Sequence, residues 1–537
     1  MNITDFTPQD LEILKAVATT GVGYTTASGL DAIQLDALAK LAYQIYFPEL
    51  KKMMHIQPEM AGERWGGQSY QWKSIVAPNA AYLVAPVSPG NRNAVSSITS
   101  DFYSAPYCTL GYDQSVQDEE FEQERGFDDP VKNARITTMH SILQMYDILA
   151  TSGNRGTASN GFALGAATLP VLVSNASTGG LVPATTKLTV YVAELTAFGA
   201  SFRNVNSKGI NTSTGVAGAS AALTPYFIRT PANASSPESV PNGVGLPSTA
   251  LTVTTGGSTS TNLVSVAAVP NPGAFAWVWF VSYSNSPTTS NSYLTAITQV
   301  PLLAISAAAA SSANQTLAAF NTLQGGVDTS YNGVDATNGS NTPAPEFDGD
   351  FAYIAGSNPA NFIQMNGLGW TPDNVGGVQE LNNAIKAQFL AYQAVPDEIV
   401  CGINAIDAIT QAVQQGTASN FRFMKGIGAD GSVNGGGVIK EYRLKFSTTG
   451  EQTIIPVSVT SNIPANAVWL PNRYNPFPTT SNTIPANLQL AEIKPIYSKD
   501  YAQTRRTWEL GTYVQTTLVK RAPFLGFVFS GASDTVI

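Results

Sequence analysis

DDPVKNARITTMHSILQMYDILATSG, residues 128–153, is the stretch that sets the architecture. Asp129 is an N-cap and Pro130 sits at N1, where its missing N–H costs nothing. Val131, Ala134, Met139, Ile142, Leu143, Tyr146 and Leu149 then recur mostly at three- and four-residue steps. Gly153 closes the run. From Pro130 to Ala150 such a helix is on the order of 30 Å long. It is the clearest single helix in the chain.

Upstream lies the most acidic run, Asp118-Glu119-Glu120-Phe121-Glu122-Gln123-Glu124. Before it the pattern is that of strands. Tyr70, Trp72 and Ser74 alternate with Gln71, Lys73 and Ile75, and Tyr82-Leu83-Val84 is a second candidate. Pro78-Asn79, Pro86 and Pro89-Gly90-Asn91 punctuate them, giving a long two-stranded loop with a flexible tip. A two-stranded ribbon is marginal alone in water, so it is expected to lie against something else, such as a neighbouring subunit. The first sixty residues read as an arm with two short helices. Thr7 and Pro8 start the first, and the second carries Ile33, Leu35, Leu38, Leu41 and Ile45 before Pro48.

Downstream of Gly161 the composition shifts to Thr, Ser, Asn, Gly and Val. Leu188-Thr189-Val190-Tyr191-Val192 alternates, and Phe275-Ala276-Trp277-Val278-Trp279-Phe280-Val281 is an apolar run of strand length. Leu251 to Thr254, Leu263 to Val269 and Tyr293 to Ile297 are further strands. Short strands with frequent turn signals predict a β-sandwich of immunoglobulin-like build. Trp277 and Trp279 share one face of their strand. From Ala307 to Thr342 the chain reads as a linker with one short helix. Beyond it, Val378, Leu381, Ile385 and Phe389 mark a helix, Ile399-Val400-Cys401 a strand and Asn404 to Gln415 a second helix. Glu441 to Phe446, Ile454 to Val459, Arg505 to Leu510, Tyr513 to Leu518 and Gly526 to Phe529 are strands.

Of the 537 residues 43% are hydrophobic, enough for a sizeable core. Only 12% are charged, roughly half the usual share. A net charge of −9 argues against a nucleic-acid reader, which would need a basic stripe, though not against a container for DNA. Cys108 and Cys401 are expected as free buried thiols of a cytosolic product. His55 and His140 are too few for a His-based zinc site or a His-dependent catalytic centre. Met1 to Asp10 has no signal-peptide character, and no run reaches the roughly 18 apolar residues of a membrane span. No phosphate-binding loop, His-Glu-x-x-His, Cys-x-x-Cys or Gly-x-Ser-x-Gly pattern is present. No enzyme activity, metal or cofactor is expected. The acidic run reads as a solvated face or as partner to basic side chains rather than as a cation site.

This order of elements resembles the major capsid proteins of tailed bacteriophages, the Hong Kong 97 fold. Residues 129–153 look like the spine helix of that family, and Trp65 to Tyr112 like its E-loop. Gly153-Asn154-Arg155-Gly156 and Phe347-Asp348-Gly349 are similar to the point where the family's chain passes from spine helix to axial domain, with the sandwich spliced between. Arg506 to Leu510 through Pro523 to Gly526 resembles its closing strands. The resemblance implies an α+β Hong Kong 97-like fold. Its parts would be an N-terminal arm (1–63), an E-loop (64–117), a peripheral domain with the spine helix (118–160), an inserted all-β immunoglobulin-like sandwich (161–306), a linker (307–345), an axial domain (346–480) and return strands (481–537). It implies a protein made in the host cytoplasm and built into an icosahedral virion shell around double-stranded DNA, without sequence-specific binding and without a membrane. Its partners would be copies of itself in hexamers and pentamers, with portal, scaffolding and decoration proteins.

Candidate inter-subunit contacts are the aromatic anchors Trp65, Trp72, Tyr82 and Trp508, the E-loop Lys73, the acidic Asp118, Glu119, Glu120, Glu122 and Glu124, and the basic Arg505 and Arg506. Lys494, Lys499, Lys520 and Arg521 are further basic candidates. Lys73 is also a conceivable donor for an isopeptide link of the kind some relatives form. The rival readings are a phage tail or baseplate protein, and a bacterial surface adhesin or carbohydrate-binding protein.

Overall fold

The computed structural model describes residues 56, 58–60, 69–77, 87–92, 99–119, 130–155, 162–202, 228–229, 238–239, 243–310, 312, 314–323, 326, 328, 330, 347–373, 377–416, 439–444, 453–474, 486–501 and 506–533. The expected N-terminal helices, the Asp129 cap, the Tyr82 strand, Trp65, Glu120, Glu122, Glu124 and Arg505 lie outside them.

In chain order, the ribbon strands β1 (Ser69–Ala77) and β2 (Thr99–Pro106) precede β3 (Cys108–Gln117) and the long helix α1 (Pro130–Ser152). The strands of the two facing sheets follow: β4 (Val171–Ala176), β5 (Lys187–Leu195), β6 (Leu251–Thr254), β7 (Leu263–Ala267), β8 (Ala276–Ser282), β9 (Tyr293–Thr298) and β10 (Leu302–Ile305). Next come α2 (Leu317–Leu323), α3 (Asp350–Ser357), β11 (Phe362–Gln364), α4 (Gln379–Tyr392), β12 (Ile399–Cys401) and α5 (Ile403–Gly416). The chain ends in β13 (Glu441–Arg443), β14 (Ile454–Val459), β15 (Val468–Leu470), β16 (Leu488–Asp500), β17 (Thr507–Lys520) and β18 (Phe527–Ser530). The architecture is α+β with mixed sheets.

The chain divides into two compact units. In the first, β17 lies between β16 and β3 in one sheet. The N-terminal half of α1 packs on it, with Ala134 and Val131 against Val116, Leu510 and Trp508. Thr138 and Thr512 share a buried hydroxyl–hydroxyl bond of 3.0 Å. Strands distant in sequence thus build the surface that a lone amphipathic helix needs. The closing strands, expected as two, form one 14-residue strand. Gly511 does not break it, because strand geometry continues through the glycine.

The second unit holds a six-stranded sheet in the order β11-β18-β15-β12-β14-β13. It is mixed: β11 runs parallel to β18 and β12 parallel to β14, while β15 is antiparallel to both β12 and β18. α4 and α5 cover it through Leu381, Ile385, Ile406 and Ile409, over a core that includes Trp370, Leu470 and Phe529.

The same unit contains the sandwich. One sheet has the order β10-β7-β4 and the other β9-β8-β5-β6. Val190, Val192, Val264, Val266, Trp277 and Trp279 fill the space between them. The opposite face of β8 is covered too: Phe280 packs on Phe320 of α2 at 5.0 Å between ring centroids. The segment expected as a linker therefore supplies part of the core. The strand order corrects the immunoglobulin-like expectation. Counted along the sandwich, strands one, four and seven form one sheet and two, three, five and six the other. Immunoglobulin domains instead pair A, B, E and D against C, F and G. Alternation reveals which strands are half-buried, not which neighbours they choose.

The sandwich begins and ends at one place. The amide of Gly349 donates to the carbonyl of Gly153 at 2.7 Å, and the amide of Arg155 to Asp348 Oδ1 at 2.7 Å. Just beyond, the Asn154 side chain donates to the carbonyls of Phe162 and Ser330, and the Gly165 amide to Asp328. The backbones meet so closely that a Cβ on Gly349 would lie 2.7 Å from Gly153 N and from Leu149 O. Both contacts are with main chain and cannot rotate away. Gly349→Ala is expected to cost about 1–3 kcal/mol or more, measured by urea denaturation followed by circular dichroism.

Candidate assembly surfaces

The ribbon has two unlike faces. Pairing sets Trp72 opposite Tyr103 and Tyr70 opposite Ala105. Trp72 stacks on Tyr103 at 6.0 Å, and its indole N–H donates to the Lys520 carbonyl at 3.0 Å. Trp72, foreseen as an interface anchor, is thus buried by its own chain. The other face carries Gln71 opposite Ser104 and Lys73 opposite Phe102, all exposed. Phe102 is 79% exposed, an aromatic ring left largely uncovered by the described residues.

The acidic and basic candidates in the first unit meet within the chain. Arg506 Nη1 lies 3.4 Å from Glu119 Oε1, and the Trp508 indole donates to Asp118 Oδ1 at 3.1 Å. The Arg506 amide segment is tied in as well, its carbonyl accepting from the Asp118 amide. The ion pair is open to solvent and worth little by itself. Arg135 grips Asp500 with both carboxylate oxygens within 2.9 Å.

Beside them is an aromatic and basic patch. Lys494 Nζ sits 3.6 Å from the Tyr497 ring centroid and Lys499 Nζ 5.2 Å from that of Tyr501. The Tyr513 hydroxyl donates to Asp113 at 2.5 Å and meets the Tyr501 hydroxyl. Burial, then the bond to the Asp113 carboxylate, pushes the Tyr513 phenol well up. Its ring lies over backbone at Gly111 and Gly511, where an added Cβ would fall 2.3 and 2.7 Å from ring carbons. Only glycine lets the ring lie there.

Lys520, read from sequence as a basic interface residue, is wholly buried and paired with Asp350 at 2.6 Å. Arg521 is drawn to the Ala486 carbonyl at 2.8 Å. Sequence shows the charges but not that the end of β17 turns inward. The two cysteines are buried and neither is in a disulfide, and burial pushes the Cys401 thiol up to about 12.

Apolar side chains are left exposed in the second unit. On α4, Leu390 is 83% exposed, flanked by exposed Ala387 and Ala391 one helical turn and one residue away. In the sandwich, Val171, Leu172 and Val173 lie exposed on the edge strand β4. A register shift opposite them, between Ser265 and Val266, twists that edge.

Within the sandwich, Glu194 is buried and accepts from the Asn271 amide at 3.0 Å, the Asn271 side chain at 2.8 Å and the Trp277 indole at 3.4 Å. Burial raises its pKa, and those hydrogen bonds oppose the rise. A carboxyl raised on folding stabilises most in its protonated form, and that contribution is lost as pH climbs from 4.5 through the raised value. Glu194→Gln is therefore expected to gain on the wild type as pH rises through that window, read as the difference in Tm between the two.

No family model matches the sequence, and no curated protein does. Phage capsids are among the solved structures to which it is similar. Against the satellite phage P4 procapsid that includes the size determination (Sid) protein, identity is 7%, covering 93% of this chain and 99% of that one, with a TM-score of 0.32. Against the capsid of Myoviridae phage XM1 the values are 8%, 88%, 89% and 0.31. Against the capsid of a native GTA particle they are 10%, 96%, 99% and 0.31.

Among the described residues no cluster of three or more His, Cys, Asp or Glu side chains is placed to hold a metal ion, and no helix is long and apolar enough to cross a membrane. Sequence reasoning did not single out Phe102, Leu390, Asp113 or Tyr513. Phe102 and Leu390 carry a signal only once the strand pairing and helix face are known.

Proposed function

We propose that the chain is the major capsid protein of a tailed bacteriophage, a structural subunit of an icosahedral head with a Hong Kong 97-like scaffold. The observation that carries this reading is the junction at Gly153 and Gly349. The chain leaves the long helix and rejoins the mixed domain within one hydrogen bond, so residues between them are a graft on an otherwise continuous scaffold. Remove the graft in thought, and a two-stranded ribbon, a long helix on a sheet, a helix-covered mixed sheet and returning C-terminal strands follow in the order the family uses.

In this reading the mixed domain meets its copies around five- and six-fold axes, and the ribbon reaches over a neighbour. Interfaces of such obligate assemblies commonly exceed about 2,000 Å² in total. Phe102 and Lys73 on the open ribbon face and Leu390 on α4 are the contacts, with Glu119 and Arg506 on the first unit. Trp72 is not among them. The sandwich is surface decoration, and portal and scaffolding proteins complete the head.

Expression of the chain alone and with its neighbouring genes, imaged by negative-stain electron microscopy, tests the reading. Closed shells or flat hexameric and pentameric tiles are expected. Tubes, fibres or a lone monomer under both conditions would overturn it in favour of a tail protein or an adhesin. Leu390→Asp is expected to leave the isolated chain's stability within about 0.5 kcal/mol of wild type, as exposed sites usually do. In the same experiment it should abolish most of the sedimenting assemblies.

A further inference from the structure

We propose that Lys520 and Asp350 condense to form an intramolecular isopeptide bond. Their placement has the features such a reaction needs. Lys520 Nζ lies 2.6 Å from Asp350 Oδ1, and both side chains are wholly inaccessible to solvent. That separation is a direct hydrogen bond between the amine nitrogen and the carboxyl group, so the entropy of bringing the two groups together is already met by folding. The other oxygen, Oδ2, accepts the Trp469 indole N–H at 2.7 Å. That donor polarises the carboxyl carbon and stabilises the negative charge that gathers on Oδ2 as nitrogen attacks. Trp469 is itself fixed edge-on by Phe351 at 5.8 Å.

The environment favours the reactive protonation state. Burial lowers the Lys520 pKa, while Asp350 opposes that shift. Two opposite charges sealed from water have lost their hydration, and transfer of one proton from the ammonium to Oδ1 gives a neutral amine and a carboxylic acid. The Nζ–Cγ bond then forms. The Cγ–Oδ1 bond breaks, Oδ1 leaves as water with the proton already on it and one more from nitrogen, and an amide remains. No oxidant, reductant or co-reactant is needed.

The link would join the first residue of α3 to the last of β17, closing a loop of 170 residues. It would lie beside the Trp72 indole, which donates to the Lys520 carbonyl, and so would anchor the strand end on which the ribbon rests. This inference is independent of the capsid reading, and its test needs no assembly.

The test is mass spectrometry of the full chain, purified and then denatured. The expected result is an intact mass lower than the sequence mass by one water. Trypsin should also release a branched peptide joining Lys520 to Asp350, uncut at Lys520 and absent from Lys520→Arg. Trp469→Phe should form the same branched peptide more slowly. Linear peptides with Lys520 and Asp350 both free would overturn the proposal, as would a one-water deficit carried elsewhere. The wild-type digest decides even where a variant does not fold.

Discussion

Trp279→Ala is expected to remove about 3–5 kcal/mol of stability, the range for deleting a large aromatic from a packed core. Trp279 is wholly buried between the sheets of the sandwich. Its indole donates to Thr298 Oγ1 at 2.9 Å, and that hydroxyl donates on to the Val300 carbonyl at 2.6 Å. The substitution therefore leaves a cavity and deprives Thr298 of a donor. Its effect should not stop at the sandwich. Immediately before the same strand, Phe275 stacks on Phe351 and meets Phe362 edge-on, each at 5.2 Å. Gln364 donates to the carbonyls of Asn271 and Ala274, and Ser530 to that of Ala274. Calorimetry should show the sandwich and the mixed sheet losing stability in one transition. A variant in which only part of the heat absorption moves would mean that the sandwich unfolds alone.

Local patterns in the sequence carried a good part of this architecture. The helix at 130–152 follows from a cap, a proline and a run of apolar steps, all of them short-range signals. Leu251–Thr254, Ile399–Cys401 and Ile454–Val459 have the same bounds in sequence and structure because short apolar or alternating runs between turn signals define them. β16 went unread. Its residues 488–492 are buried in succession, and Lys494, Pro495 and Lys499 interrupt any alternation. The short helix α3 was also unread, since eight residues give too few turns for a period to emerge.

The surface was less legible than the fold. Charged residues stand out in a chain with few of them, yet their partners depend on which strands adjoin. Glu119, just past β3, and Arg506, just before β17, come together inside one subunit, as do Asp118 and Trp508. Trp72 looked like an anchor for a neighbour because a lone ribbon has little to rest on. The chain supplies its own support at Lys520 and Tyr103. Phe102 is the opposite case. It reads as an ordinary strand residue and proves to be bare, because its partner in register is the exposed Lys73.

The buried pair at the centre of this support gives the second large expectation. Lys520→Met removes the ammonium and leaves Asp350 in a site without water. Breaking a buried pair from one side costs about 3–5 kcal/mol, because the remaining charge must be kept uncompensated or protonated. The covalent link proposed above would be lost with it. A second variant separates charge burial from shape. Asp350→Leu combined with Lys520→Met removes both charges and fills a similar volume, so the part of the loss that comes from the uncompensated charge should be regained, while the part that comes from the covalent link stays lost. Regain should fall short by about 1–3 kcal/mol, since the Trp469 indole N–H loses the Oδ2 acceptor it now has at 2.7 Å. Urea denaturation of the single and double variants measures both quantities. Equal losses in the two would mean that packing around α3, rather than the uncompensated charge, sets the cost. A double variant that regains most of it would place the cost on Asp350, the residue by which the chain re-enters the mixed domain after the graft.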